Sequence, residues 1–164
     1  MFDPQKEVPS LELCKRLKEL GYPQDGGGWY WVKRKYDLLW GLYLKFQKGW
    51  VEWVSWDNNN IKCYWDTSTD IRYDNAQGVS ILRIDELIKA PTCRELGERL
   101  PKLVLNKYSL YYTQVKDGWI IDYANSSNPA NDRLNWEVDC TEPNVRAEMI
   151  IWLKENGYID FKEK

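Results

Sequence analysis

The sequence predicts an α+β fold: one domain built from a mostly antiparallel, Trp-rich sheet and three main helices. Three observations carry that expectation. Leucine stripes at helical spacing open the chain, return near residue 96, and give way to a third apolar stripe near the end. Between them lie runs rich in aromatic and β-branched residues, and tight-turn sequences join several of these runs. At 164 residues the chain suits a single domain, residues 1–164, with a core of its own.

Ser10 precedes Leu11, Cys14, Leu17 and Leu20, an N-cap followed by a helical stripe that Leu13 widens. Gly21 stands where a left-handed residue ends a helix. Gly26-Gly27-Gly28 reads as a linker, since it lacks the Gly-Lys-Ser/Thr of a phosphate loop and no helix follows. Strands are expected near 29–35, 39–47, 49–56 and 60–66, with Asp57-Asn58-Asn59-Asn60 as a hairpin turn. Residues 66–78 read as polar loop. Asp66, Asp70 and Asp74 lie four apart, whereas calcium loops place acids two apart and close on a glutamate.

A short strand is expected over 79–84, and Asp85 reads as the cap of a single helical turn. Thr92 and Glu95 form a capping box ahead of Leu96, Leu100 and Leu103, with Pro101 as a helix stop. Strands over 108–115 and 119–123 flank Lys116-Asp117-Gly118, a hairpin signal. A further strand is expected over 136–140. The last helix opens at Thr141 with Pro143 in its first turn, carries Val145, Met149, Trp152 and Leu153, and stops at Asn156-Gly157. The pattern Leu13-x-x-Arg16-Leu17-x-x-Leu20 returns as Leu96-x-x-Arg99-Leu100-x-x-Leu103. Either one helix–hairpin unit is used twice, dividing the chain into halves 1–84 and 85–164, or the leucine spacing coincides by chance.

Composition narrows the function. Ten Trp and eleven Tyr against three Phe favour rings with a polar handle, which suit half-wet sheet faces, clefts and interfaces. With 23 basic and 25 acidic residues the net charge is −2; binders of duplex DNA carry a basic excess, so none is expected despite the local patch Lys33-Arg34-Lys35. The opening MFDPQKEVPS has no apolar signal-type core and the apolar runs are too short to span a bilayer, so a cytoplasmic protein without membrane association is expected. In that setting Cys14, Cys63, Cys93 and Cys140, which form no CxxC pair, are expected to be free thiols. Histidine is absent, which removes imidazole acid–base catalysis, Ser-His-Asp and Cys-His nucleophiles, and imidazole metal ligands. No metal, no cofactor and no enzymatic activity are expected. An enzyme would have to use other groups, and Asp122, Glu137 and Asp139, on or beside expected strands, are the candidates for a glycosidase-like acid pair.

Three blocks carry a resemblance: SLELCKRLKELGYPQ with WYWV (residues 10–32), APTCRELGERLP (90–101) and TEPNVRAEMIIWLKENGYI (141–159). Together they resemble a family of small uncharacterised proteins encoded by phages and prophages of Gram-positive bacteria. The family tends to have Glu-Ser after the glutamine, where this chain has Asp25 and glycines after Gln24. The resemblance implies a mobile-element origin and an intracellular setting in a bacterial host. It supplies no activity and no catalytic residues.

Strand alternation then poses the functional question. In WVEWVSW, Trp50, Val54 and Trp56 fall on one side and Trp53 on the other; Trp29 and Trp31 oppose Tyr30. A sheet with helices on one side needs one apolar face only, yet this one has large rings on both. Loop cover accounts for the second set; a binding surface is the other account. Trp50 and Trp56 are expected on the core side. The reading adopted is a non-catalytic interaction protein that engages a protein partner, or a second copy of itself, through an aromatic face. Its candidate residues are Trp53, Trp29, Trp31, Tyr43 and Trp65, with Lys33, Arg34 and Lys35 beside them. The alternatives are a stacking ligand (single-stranded nucleic acid, a nucleotide or a carbohydrate) and a carboxylate-based hydrolase.

Overall fold

Ser10 caps α1 (Leu11–Glu19), its hydroxyl accepting from the Leu13 amide at 3.4 Å, and Gly21 ends the turn at φ +89°. The computed structural model describes residues 6–35, 38–45, 50–54, 60–67, 70–75 and 78–161, and between 44 and 83 the description is of backbone and pairing.

Six strands follow: β1 (Gly28–Arg34), β2 (Trp40–Lys45), β3 (Trp50–Val54), β4 (Asn60–Thr67), β5 (Asp70–Asn75) and β6 (Gly78–Ala90). Each pairs antiparallel with the next, and β6 returns to pair with β1, so the ladder closes into a barrel. The length of β6 permits this. Its first part, Gly78 to Arg83, pairs with β5, and its second, Ile84 to Ala90, pairs with β1.

Two expectations are corrected here. Residues 70–75 form β5 instead of loop: Ile71 and Tyr73 alternate with polar residues, and strands on both sides satisfy the backbone. Asp85 caps no helical turn, because the chain from Ile84 onward is held by the ladder to β1. The expected turn at Asp57–Asn60 falls largely outside the described residues.

Closure accounts for the rings on both faces. On one face Trp29, Leu42, Ile88 and Ala90 pack with Val8 and with Cys14 of α1. On the other, Tyr30, Val32 and Tyr43 are equally buried. Alternation along β1 is therefore real, and each face has its own cover. Where β1 begins, Gly28 has φ +112°, a conformation that favours glycine, and a Cβ there would also push against Lys89 Nζ at 2.8 Å.

The remaining elements are α2 (Cys93–Arg99), β7 (Leu103–Val104), β8 (Tyr108–Val115), β9 (Gly118–Asn125), β10 (Arg133–Asp139) and α3 (Glu142–Glu155). The capping box at α2 is present: Thr92 Oγ1 accepts from the Glu95 amide at 3.3 Å, and Glu95 Oε2 accepts from the Thr92 amide at 2.8 Å. Pro101 follows the last helical turn. β7 to β10 form a second antiparallel sheet in the order β10-β9-β8-β7, with Lys116-Asp117 as the tight turn between β8 and β9. α3 lies across β9 and β10 and touches α1 and α2. Its Val145, Met149, Ile150 and Leu153 are fully buried against Leu17, Leu96, Ile121 and Tyr123. Truncating any such core side chain to alanine costs about 2–5 kcal/mol.

The architecture is thus α+β, antiparallel throughout, with three helices among the described residues, and its strands are divided between two sheets. α1 serves both cores: Cys14 faces the barrel and Leu17 the second sheet. The boundary between the two supposed halves falls inside β6, and Leu103, the last leucine of the second stripe, lies on β7 beyond α2. Among the described residues no helix is long and apolar enough to cross a membrane. Cys14, Cys93 and Cys140 are free thiols; the Cys63 side chain lies outside the description.

Candidate functional site

The sequence placed its aromatic surface on the first sheet, and there two of its rings are buried. Trp29 and Tyr43 are core residues, with Tyr43 only 1% exposed. Trp31 is half-buried, its Nε1 donating to the Pro9 carbonyl at 3.3 Å. Lys33 is paired with Asp85 at 3.0 Å, Arg34 is half-buried and Lys35 is exposed. Trp53 is the register partner of Tyr43 and Ile61, and Trp65 of Ile71; their side chains lie outside the description, as do those of Trp50 and Trp56. As far as they are described, these residues form no open aromatic face.

Such a face exists on the second sheet. Asp132 secures its frame: its carboxylate takes Asn125 Nδ2 at 2.8 Å, the Tyr108 hydroxyl at 3.1 Å and Lys107 Nζ at 2.7 Å, which together hold the loop between β9 and β10. These partners also lower the carboxyl's pKa, the Asn125 hydrogen bond contributing most. The inner face carries Ile121 and Tyr123 under α3, with the Tyr123 hydroxyl donating to the Pro101 carbonyl at 2.6 Å. The outer face follows by alternation. One cross-strand row reads Tyr111, Asp122, Trp136; the next reads Thr113, Ile120, Val138; Leu103 on β7 adds a further apolar position. Trp136 is 55% exposed and Val138 51%.

Asp122 lies in the middle of this surface, its side chain 14% exposed. Oδ2 is 3.2 Å from Arg133 Nε, while Oδ1 is buried and has no hydrogen-bond partner. Burial raises its pKa and Arg133 opposes the rise. The row therefore offers two rings, about 10 Å apart across three strands, with a mostly buried carboxylate between them.

The other two acids proposed from sequence lie on the opposite side of the sheet. Glu137 pairs in register with the buried Ile121, and Asp139 with Trp119. β10 separates them from Asp122, so the three do not form one acid pair. They gather instead near Glu148 of α3, whose carboxyl is pushed up from 4.5 to about 7 by burial, then by Asp139 and Glu137. Glu137 accepts from Asn135 Nδ2 at 2.7 Å, and Asp139 from the Thr141 amide at 2.8 Å.

A cleft of about 490 Å³ opens elsewhere, lined by Tyr22, Lys89, Glu95, Arg99 and Phe161 among others. Its charges serve the fold. Lys89, 4% exposed, is paired with Glu95 at 3.1 Å, hydrogen-bonded to the Gly27 carbonyl, and set 5.2 Å from the Tyr30 ring. The Arg99 guanidinium covers the Tyr22 ring at 4.9 Å.

Sequence reasoning placed the strand containing Trp136 but assigned the residue no role. The available signal was the period-two pattern Trp136-Glu137-Val138-Asp139, which shows two chemically different faces without saying which one meets water. The chain matches no family model, no curated protein and no solved structure.

Proposed function

We propose that this protein is a non-catalytic binding protein whose working surface is the outer face of the second sheet, and that it docks a protein partner there. One observation carries the reading. Along β10 the apolar residues Trp136 and Val138 meet solvent while Glu137 and Asp139 turn toward α3, the reverse of the usual alternation. Contiguous exposed rings and aliphatics mark interaction sites, and Trp and Tyr are common anchors. The setting we read for it is a bacterial cell, as a phage- or prophage-encoded protein, in keeping with the resemblance of residues 10–32, 90–101 and 141–159.

Trp136→Ala should cost under about 1 kcal/mol of stability, as a surface change. It should abolish capture of partners that the unaltered protein retains from host extract, and Val138→Asp should do the same. Lys116→Ala, at the hairpin tip, serves as the control. Equal capture by all variants would overturn the reading. A second reading rests on the Asp122 carboxylate, 14% exposed between Tyr111 and Trp136: a carbohydrate stacked on the rings with one hydroxyl donated to that carboxylate. Binding on a glycan array that Asp122→Asn reduces would favour it.

A further inference from the structure

The second sheet has two edges of unlike design. At one, β7 is two residues long, and Leu105 and Asn106 beyond it take φ of 53° and 54°, which ends the strand. At the other, β10 runs for seven residues with neither proline nor lysine, and among the described residues no strand lies beyond it. Proteins ordinarily blunt such edges, since a row of unpaired amides and carbonyls is a template for another strand. A register shift between Arg133 and Asn135 interrupts the pairing at one end, leaving Asn135 to Asp139 as the regular stretch.

The two sides of this edge are chemically opposite. Above it stand Trp136 and Val138; below it stand Glu137 and Asp139, with Glu148 near them on α3. Among the described residues no lysine or arginine is paired with any of these three acids, whereas Glu86, Glu95, Glu142 and Glu155 each have a cationic partner. We propose that the β10 edge accepts an added strand from a partner protein, a short extended segment whose apolar side chains alternate with lysine or arginine. The backbone ladder would hold the segment, its apolar residues would continue the Trp136–Val138 surface, and its cations would reach the acids below. A second copy of this chain fits poorly, since its own β10 would bring another set of the same acids to the same side.

This inference rests on the docking surface proposed above and names what that surface receives. The test uses the full chain and capped synthetic hexapeptides: alternating Lys-Val, the same residues in blocks, alternating Glu-Val, and two Lys-Val peptides N-methylated at alternate positions in either register. Binding is read by calorimetry and by amide hydrogen exchange of residues 135–139. The alternating Lys-Val peptide should bind, slow exchange along β10, and weaken with salt. One N-methylated register should lose binding and the other keep it, because only one set of amides faces the edge. Replacing Glu137, Asp139 and Glu148 together by their amides should weaken binding about tenfold or more. Equal binding of the block peptide, or of both N-methylated registers, would overturn strand addition in favour of plain charge attraction. If no peptide binds while Trp136→Ala still abolishes partner capture, strand addition is overturned and the docking surface stands. If the peptide binds as predicted while Trp136→Ala leaves capture intact, the edge stands and the broader docking surface falls.

Discussion

Glu148 is the residue whose environment should be most visible in a titration. Its carboxyl rises from 4.5 to about 7, first through burial and then through Asp139 and Glu137. Between those values the folded chain binds more protons at this site than the unfolded chain, so stability falls as pH rises through the window and levels off above it. Glu148→Gln removes the carboxylate. The variant should melt above the parent at pH 8 and level with it at pH 4, as read by thermal denaturation. A gain of the same size at both values would mean that packing, not ionisation, is responsible. Asp122 shows the contrasting arrangement on the other side of the sheet, one oxygen paired with Arg133 and one left over.

Glu95 joins two elements. It closes the capping box of α2 through Oε2, and through Oε1 it compensates Lys89, which β6 carries into the interior. Losing a cap costs about 1 kcal/mol, but leaving a buried ammonium without its counter-charge costs roughly 3–5 kcal/mol. Thr92→Ala should therefore be mild and Glu95→Ala severe in urea denaturation. Similar losses for the two would show that Lys89 finds another partner or water. The β10 strand poses the other question at this scale. Its outward Trp136 and Val138 are tolerable because α3 takes up the inner face of the sheet with residues from β9, Ile121 and Tyr123, so the core does not need them.

In the whole molecule α1 is the joint. Cys14 belongs to the core beside the barrel and Leu17, three residues on, to the core under the second sheet, so neither half can lose its helix without uncovering the other. Unfolding should be a single transition: tryptophan fluorescence, weighted toward the Trp-rich barrel, should coincide with far-UV circular dichroism. Leu17→Ala should shift both curves together by about 2–5 kcal/mol. Separate midpoints would show that the barrel and the second sheet unfold independently.

The features the sequence determined by itself are those that neighbouring residues encode. Ser10, the Thr92–Glu95 box, Gly21, the Lys116-Asp117 turn and the first and third helical stripes act within a few residues of chain, and the structure places each where the spacing puts it, whereas the second stripe loses Leu103 to β7. Alternation along β1 was legible for the same reason. Tertiary structure decided what covers each face. A period of two distinguishes two sides of a strand but carries no sign, so the burial of Trp29 and Tyr43 and the exposure of Trp136 depend on where α1, α3 and the closing strand β6 lie. β5 was hidden in the same way. Its polar residues resemble loop until β4 and β6 flank it, because a strand supplied with ladder partners on both sides needs little apolar content of its own.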